Sequence, residues 1–192
     1  MLKKVSHDIT ELISSYYLFK QKSPILSSMQ IRAPIVHYSP APKNVVRVAL
    51  DMLKLKEDDI LFDLGCGDGR ILIMAAKLYG VKAIGIEIRG ALVKIARENA
   101  RKAGVLHLVE IIRGDFFRID LSAATAITLY LSSTVNNALK EKFVRELKPG
   151  TRLVSIFFPI QSWTPVEVRC VHTPIKDFPI YLYKIDRNAR WK

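Results

Sequence analysis

A glycine-rich loop between two acids is the stretch of this chain whose residue types and spacing could do chemistry. Residues 60–70 read ILFDLGCGDGR, with glycines at positions 65, 67 and 69. The apolar residues before Asp63 predict a strand, and the apolar pattern after Arg70 predicts a helix. Glycines let the backbone turn sharply and approach a ligand closely, and the first turn of a helix offers unpaired N–H groups. The segment therefore predicts a ligand-binding turn between a strand and a helix.

The spacing of the glycines selects among nucleotide ligands. A dinucleotide site typically reads G-x-G-x-x-G and holds a pyrophosphate at the helix end. This chain reads G-x-G-x-G at Gly65, Gly67 and Gly69, with Asp63 before the loop and Asp68 inside it. Two carboxylates would repel a pyrophosphate, but they suit a ligand with a cationic end, such as the methionine part of S-adenosylmethionine. The alternative is a glycine-rich turn that binds nothing.

Two further acids follow predicted strands. Glu87 ends the second predicted strand, where a carboxylate can accept hydrogen bonds from both ribose hydroxyls of a nucleoside. Asp115 and Phe116 follow the third predicted strand. There an acid could accept the adenine amino group, and a ring could cover the base. The alternative role of Asp115 is to cap the turn that follows it.

Alternating strands and helices predict the frame that holds these residues. The pattern is typical of a three-layer α/β fold with a doubly wound, mostly parallel sheet, in which ligands bind at the carboxyl ends of the strands. The last two strands predict an antiparallel C-terminal hairpin, which brings the sheet to seven strands. The predicted strands begin at Ile60 and cover Val81–Ile88, Leu108–Arg113, Thr125–Leu131, Thr151–Phe158, Val166–His172 and Ile180–Ile185; the predicted helices include Lys43–Leu53, Ala91–Ala103 and Val135–Leu147.

Composition restricts the class of protein. With 192 residues, 49% hydrophobic and 25% charged, the chain suits one globular domain, and its apolar runs are too short for a membrane span. Asp8 and Glu11 interrupt the start where a signal peptide needs an apolar core. Two cysteines, Cys66 and Cys170, indicate a reducing compartment, so we expect a cytoplasmic protein. The cysteines and histidines lack metal-ligand spacing, so we expect no metal site.

The net charge of +12 permits attraction to nucleic acid or to acidic protein surfaces. The basic residues are spread along the chain without a dense tail. A generally basic, solvated surface is therefore favoured over a dedicated nucleic-acid stripe, while proximity to nucleic acid stays open.

The first 34 residues are predicted to stand apart from the domain at 35–192. Residues 8–20 place apolar side chains at helical spacing, and prolines follow in a polar linker. Packing of this short amphipathic helix on the protein's own body is the favoured interpretation. A lid, a partner surface or a membrane-surface contact is the alternative.

The segment from Ile35 to Ile185 resembles the class I, seven-strand S-adenosylmethionine-dependent methyltransferases. More narrowly, it resembles the small archaeal protein-lysine N-methyltransferases, which are related to a mitochondrial lysine methyltransferase family. The matching segments are 37–42 (HYSPAP), 63–70 (DLGCGDGR), 85–87 (GIE), 114–117 (GDFF), 134–136 (TVN), 147–152 (LKPGTR) and 181–183 (YLY).

This resemblance implies a Rossmann-like fold and transfer of a methyl group from S-adenosylmethionine to a protein lysine amine by direct displacement. The implied partner is a protein with an exposed lysine. An RNA or small-molecule methyltransferase on the same fold is one alternative, and a non-catalytic, basic nucleic-acid-binding module is another. The implied cofactor-binding residues are Asp63, Gly65, Gly67, Asp68, Gly69, Glu87, Asp115 and Phe116.

Aromatic residues are the candidates for the acceptor side. A lysine must lose its proton before it can attack, and an apolar pocket beside a sulfonium cation would lower the pKa of its amine. Such a pocket needs rings and carbonyls more than it needs a strong base. Tyr130, at the exit of the fourth strand, and Tyr38, in the proline-rich segment, are the predicted catalytic residues. Phe157, Phe158 and Trp163 are further candidates for the wall, with core packing as the alternative.

Departures from the archaeal pattern concern the acceptor. The chain has Ala41 where archaeal relatives tend to have Thr, and Ile156 and Phe157 where they often have His and Glu. It also lacks the Asn/Asp-Pro-Pro-Tyr/Phe signature at Leu129–Ser132, which argues against DNA bases and glutamine as acceptors.

Overall fold

Seven strands flanked by helices make up the computed structural model, which describes residues 38–186. The strands are β1 (Ile60–Leu64), β2 (Lys82–Glu87), β3 (Val109–Arg113), β4 (Ala126–Leu129), β5 (Arg152–Ile156), β6 (Glu167–His172) and β7 (Asp177–Lys184). The helices are α1 (Lys43–Leu53), α2 (Arg70–Tyr79), α3 (Gly90–Lys102), α4 (Ser133–Ala138) and α5 (Lys140–Glu146).

The strand order confirms the predicted architecture. The order is β3-β2-β1-β4-β5-β7-β6, and the first five strands in that order pair in parallel. β7 pairs antiparallel with both β5 and β6, so the C-terminal hairpin inserts its second strand beside β5. The order reverses between β1 and β4, which is where doubly wound sheets bind their ligands.

The central strands are buried along most of their length. β4 reads AITL and all four residues are buried, as expected for a strand covered on both faces. α1 buries Val45, Val46 and Leu50 on the face that packs against the sheet. The helix begins directly after Pro42, whose fixed φ of −57° suits the position before a first turn.

Element boundaries differ from the sequence prediction at the exit edge of the sheet. β4 ends at Leu129 and β5 at Ile156, so Tyr130 and Phe157 lie just outside their strands. The predicted helix Val135–Leu147 is divided in two at Leu139, and it begins earlier because the Ser132 hydroxyl accepts a hydrogen bond from the Val135 N–H. β7 begins earlier than predicted, at Asp177.

The predictions for the first 34 residues lie outside the described part of the chain. The chain divides into units Met1–Ala33 and Pro34–Lys192, and residues 38–186 all belong to the second. The separate N-terminal segment and its helix at 8–20 therefore stay predictions. Within residues 38–186, no helix is long and apolar enough to cross a membrane.

A buried acid ties three strands together at the amino edge, opposite the site. Asp59 precedes β1 and forms an ion pair with Arg152 of β5. It also accepts hydrogen bonds from the Thr125 hydroxyl at 2.6 Å and from the Lys56 N–H at 2.8 Å. Burial opposes ionisation of Asp59, but the hydrogen bonds from Arg152, Thr125 and Lys56 outweigh it and hold the pKa below its usual value.

Replacing Asp59 by Asn should lower the free energy of unfolding by about 2 kcal/mol at neutral pH, because a charge-assisted hydrogen bond contributes more than a neutral one. A depressed pKa gives stability that is complete above the unfolded value of about 4 and is lost as the pH falls through the folded value. Urea denaturation should therefore show the gap between Asp59→Asn and wild type closing below about pH 4.

Asp58→Asn is the matched control, because Asp58 is exposed and adjacent. It should change the free energy of unfolding by less than about 0.5 kcal/mol. An equal loss in both variants, or a gap that persists at low pH, would contradict this role for Asp59.

Candidate active site

The glycine loop is fastened to the neighbouring strand by its backbone. The N–H groups of Gly65 and Cys66 donate to the Ile86 carbonyl of β2 at 2.8 and 3.1 Å. The Gly67 N–H donates to Oε2 of Glu87 at 3.1 Å. The turn after β1 and the acid that ends β2 are therefore one hydrogen-bonded unit at the exit edge of the sheet.

Glycine is required at Gly67 by both backbone and space. Its φ is +55°, and a Cβ built there would lie 2.8 Å from Cε2 of Tyr38. Gly65 has a φ of +80°, and its Cβ would lie 2.8 Å from Cδ2 of Leu131. Tyr38 and Leu131 thus pack directly on the loop, from the proline-rich segment and from the exit of β4.

Asp63 is a buried acid whose ionisation is disfavoured by its surroundings. It is 2% exposed, and its Oδ1 accepts a hydrogen bond from the Thr128 hydroxyl of β4 at 2.8 Å. Burial raises the pKa of Asp63 to about 7; the hydrogen bond from Thr128 works against this, and the charges of Asp68 and Glu87 add to it. A bound cation would relieve this crowding and let Asp63 ionise.

Asp68 is held as a carboxylate by the first residue of α2. Arg70 donates to it from Nε at 3.0 Å and from Nη2 at 2.6 Å. Burial would raise the pKa of Asp68, but the hydrogen bonds and charge of Arg70 outweigh it, so the pKa lies below the usual value. Arg70 also donates to the Ala41 carbonyl at 2.9 Å, which anchors the proline-rich segment beside the loop.

Glu87 is 2% exposed and already accepts three hydrogen bonds. Besides the Gly67 N–H, they come from the Arg89 N–H at 2.9 Å and from Nε of Arg89 at 3.1 Å. A carboxylate has about four acceptor positions, so one ribose hydroxyl could be added directly. Accepting both hydroxyls requires the Arg89 side chain, whose guanidinium carbon lies 5.7 Å from the centre of the Tyr38 ring, to turn away.

Asp115 lies beside this unit and caps its own turn. The Gly114 N–H donates to the Glu87 carbonyl at 3.1 Å, which joins the exits of β3 and β2. Oδ1 of Asp115 accepts from the Phe117 N–H at 2.9 Å, and Oδ2 lies 3.9 Å from Nε of Arg118. The half-buried Phe116 has its ring centre 5.0 Å from that of Phe117. Contacts of Asp115 and Phe116 with an adenine stay predictions.

The two tyrosines predicted to be catalytic occupy different parts of the exit edge. Tyr38 is 42% exposed and lies on the glycine loop, and burial, followed by the charge of and hydrogen bond to Asp68, raises its pKa. Tyr130 is half-buried after β4, and its ring centre lies 6.4 Å from that of Phe178 in β7. Tyr38 thus lies on the glycine loop and Tyr130 on the side of β7, and the catalytic roles of both stay predictions.

Sequence reasoning missed several residues around the site. Arg89 follows Glu87 by two positions, so its hydrogen bonds to Glu87 could have been predicted from the sequence. Thr128 and Leu131 were not readable, because their contacts depend on how β4 is placed beside β1. Phe178 was not readable either, because it needs the register of the hairpin.

The hairpin also gathers three potential metal ligands that looked scattered in the sequence. Ligand atoms of Cys170, His172 and Asp177 lie within 4.8 Å of one another at the exposed end of β6 and β7. Nδ1 of His172 lies 2.7 Å from Oδ1 of Asp177, so an ion pair across the strands accounts for two of the three. The cross-strand pairing of His172 with Asp177 creates this group.

The residues present fit S-adenosylmethionine. The glycine loop has no space for side chains at Gly65 and Gly67, Glu87 offers acceptors for a sugar, and the acids around Asp63 favour a cationic end. A pyrophosphate would meet the same acids and be repelled.

Comparisons with known proteins find similarity to methyltransferases. Residues 63–167 match the family model of the ANTKMT methyltransferase domain. A protein-lysine N-methyltransferase of Saccharolobus islandicus is 47% identical over 156 residues, covering 81% of this chain and 97% of that protein. The adenine nucleotide translocase lysine N-methyltransferase of Mus musculus is 35% identical over 134 residues, and the match spans 69% of this chain and 58% of that protein.

A solved structure of similar fold is described as an RNA methyltransferase. An RNA methyltransferase from Salinibacter ruber, in complex with S-adenosyl-L-homocysteine, has a TM-score of 0.72 and 45% identity, covering 77% of this chain and 94% of that chain. The tRNA methyltransferase TrmK of B. subtilis has a TM-score of 0.65 at 16% identity, which concerns the fold alone.

Gly67→Ala should weaken S-adenosylmethionine binding at least about tenfold, because the new methyl group displaces Tyr38 or the loop that Glu87 holds. Isothermal titration calorimetry measures this. Gly104→Ala is the control: Gly104 also has a positive φ, of +73°, but no atom lies within 4 Å of its Cβ position. It should lose a similar stability and keep its affinity. Equal affinities in the two variants would show that Gly67 does not line the ligand.

Binding of S-adenosylmethionine should release a proton from Asp63 at mildly acidic pH. With a pKa of about 7, Asp63 is mostly protonated at about pH 6 before binding, and the ligand's cationic end favours the charged form. Calorimetry in buffers of different ionisation enthalpy counts the protons. Wild type should release close to one proton more than Asp63→Asn at about pH 6, and the difference should vanish by about pH 8.5. The same release from both proteins would refute this role of Asp63.

Proposed function

The chain belongs to the ANTKMT methyltransferase domain family and transfers a methyl group from S-adenosylmethionine to protein lysine, and we propose how its residues divide this work. One group holds the cofactor, and the catalytic residues are Tyr130, on the acceptor side, and Tyr38, which packs on the cofactor loop. The cofactor group is Asp63, Gly65, Gly67, Asp68, Gly69, Glu87, Asp115 and Phe116.

One observation supports the cofactor assignment above all others. The buried Asp63 stands beside Asp68 and Glu87, and these three acids surround a loop with no room for a side chain at Gly67. A ligand that combines ribose hydroxyls with a positively charged end satisfies all of these features. Thr128 and Arg70 keep two of the acids oriented before the ligand arrives.

Bound S-adenosylmethionine would supply its sulfonium methyl group: the lone pair of the lysine nitrogen would form a bond to the methyl carbon, and the electron pair of the broken carbon–sulfur bond would stay on sulfur. The lysine must be neutral to offer that lone pair, although its ordinary pKa is about 10.4. Desolvation in an apolar pocket beside the sulfonium cation lowers the pKa of the amine, and its proton leaves to solvent. Most of the rate then comes from alignment of the nitrogen, which is the role we assign to Tyr130.

The finer assignments of place and partner are also part of this proposal. Cys66 is a free, buried thiol and Cys170 a free, exposed one, which supports a reducing, cytoplasmic location. The similarity to the Saccharolobus islandicus protein supports the archaeal-like relationship. The substrate is a protein with an exposed lysine. The net charge of +12 supports work near nucleic acid. Residues 1–34 are assigned no part in cofactor binding, and any role they have concerns acceptor access or partners.

A second candidate is methylation of RNA on the same fold. It is favoured by the similarity to the Salinibacter ruber protein, which is described as an RNA methyltransferase, and by the net positive charge. The two candidates share the cofactor site and differ only in the acceptor, so the identity of the labelled product separates them.

The protein should transfer label from tritiated S-adenosylmethionine to a component of cell extract. Protease should digest the labelled material, and nuclease should leave it intact. Tyr130→Ala should lower this labelling at least about tenfold while affinity for S-adenosylmethionine stays within about twofold, because alignment is lost and cofactor contacts are not. Labelling should rise with pH as more lysine is deprotonated.

Tyr181→Ala, at a half-buried position in the middle of β7, is the matched control and should keep full activity. Tyr38→Ala should weaken cofactor binding and turnover together, because Tyr38 packs on Gly67. Label in RNA would favour the second candidate, and full activity of Tyr130→Ala would remove Tyr130 from the acceptor site.

A further inference from the structure

A lysine of the chain itself lies over two aromatic rings at the exit edge of the sheet. Nζ of Lys176 is 4.1 Å from the centre of the Phe157 ring and 4.8 Å from the centre of the Phe178 ring. Distances below about 6 Å are those of a cation–π interaction. The ring centres of Phe157 and Phe178 are 5.8 Å apart and nearly edge to face, so their surfaces form a corner. This corner binds an ammonium group, the head group of the substrate.

Lys176 projects from a turn that is fixed by its own hydrogen bonds. The turn joins β6 to β7, and the Thr173 hydroxyl donates to the Lys176 carbonyl at 2.7 Å while accepting from the Lys176 N–H at 3.2 Å. The nearby acid, Asp177, pairs with His172 instead. The rings therefore determine where the ammonium lies.

Phe157 is held in a costly backbone conformation. Its φ is +71°, which side-chain-bearing residues rarely adopt, and the Phe158 N–H donates to the Ile156 carbonyl at 2.9 Å, closing a γ-turn around it. Strain of this kind persists only where surrounding contacts impose it, and it concentrates at functional sites.

The surrounding contacts that impose this turn come from three elements. The Phe157 N–H donates to the Pro179 carbonyl of β7 at 2.7 Å. The Phe158 carbonyl accepts from the Ser155 hydroxyl at 2.5 Å and from Nδ2 of the buried Asn136 at 3.0 Å. Both sides of Phe157 are thus anchored, and its ring is directed onto Phe178.

The corner lies on the same edge as the predicted cofactor loop. Tyr130 connects the two: its ring lies 6.4 Å from that of Phe178, and the next residue, Leu131, packs against Gly65 of the loop. A lysine entering over the exit-edge ends of β5 and β7 would therefore travel along aromatic surface towards the loop.

We propose that Phe157, Phe178 and Tyr130 form the pocket that binds the acceptor lysine, and that Lys176 occupies this pocket until a substrate lysine displaces it. The proposal rests on the lysine methyltransferase function above and adds the residues that recognise the head group. The ring faces bind the ammonium on arrival, and binding of methylated ammonium groups by the same faces lets a partly methylated lysine return.

Binding of n-butylammonium, which reproduces the lysine side chain, tests this without any turnover. Saturation-transfer NMR gives its dissociation constant. Lys176→Met removes the internal competitor and should tighten binding about two- to fivefold, the range expected for an exposed cation–π contact. Phe157→Leu keeps apolar volume but removes the ring face, and should weaken binding by a similar factor. n-Butanol, which has no charge, should not compete.

Lys184→Met is the matched control, because it removes one exposed lysine from β7 at the opposite edge of the sheet. It should leave n-butylammonium binding unchanged. In the tritium assay, Lys176→Met should lower the apparent KM for the protein acceptor with kcat unchanged.

Equal n-butylammonium binding by wild type, Lys176→Met and Phe157→Leu overturns the pocket even if protein is the labelled product. Label found only in RNA overturns the proposed function and, because the pocket rests on it, the pocket's role as an acceptor site, whatever n-butylammonium does.

Discussion

Three carboxylates around one glycine loop are the constraint on which the rest of the structure depends. Asp63, Asp68 and Glu87 repel one another, and two of them are almost fully buried. The fold holds them with donors brought from separate elements, so the acids also fix the exit edge of the sheet. These donors are the Thr128 hydroxyl of β4, the Arg70 guanidinium of α2 and the Arg89 side chain before α3. What stays uncompensated is an excess of negative charge, which gives the site its preference for a positively charged ligand.

Local patterns predicted most of the fold and named the candidate cofactor residues. The glycine loop, Glu87 and the order of strands and helices follow from apolar periodicity and glycine spacing, which are short-range signals. The exact strand ends do not, because a strand stops where its backbone pairing stops, while the apolar pattern continues. The apolar pattern therefore predicts that Tyr130 and Phe157 belong to strands, although each lies just beyond one. Asp115 shows the same limit, since capping and ligand binding call for the same acid after a strand.

Contacts set by pairing register were beyond any reading of the sequence. Phe178 meets Phe157 only because β7 inserts beside β5, and Cys170 meets Asp177 only because the hairpin pairs His172 with Asp177. The γ-turn at Phe157 likewise has no local signal, since a phenylalanine at positive φ is imposed by Asn136, Ser155 and Pro179 rather than chosen by its own preference. The acceptor side is therefore the part that the sequence describes least.

The acceptor edge can nevertheless be weighed between lysine and RNA on physical grounds. RNA brings phosphates, and their recognition depends on several cations free to pair with them. Three arginines on the cofactor side of this edge, Arg70, Arg89 and Arg118, are paired with acids of the predicted cofactor site. On the β5–β7 side, Lys176 lies over rings instead. Binding of a single lysine side chain requires fewer features: an apolar channel, a surface that tolerates its charge on entry, and a path to the methyl group. Aromatic faces provide the first two, so RNA binding by this protein would depend on cations elsewhere on its basic surface.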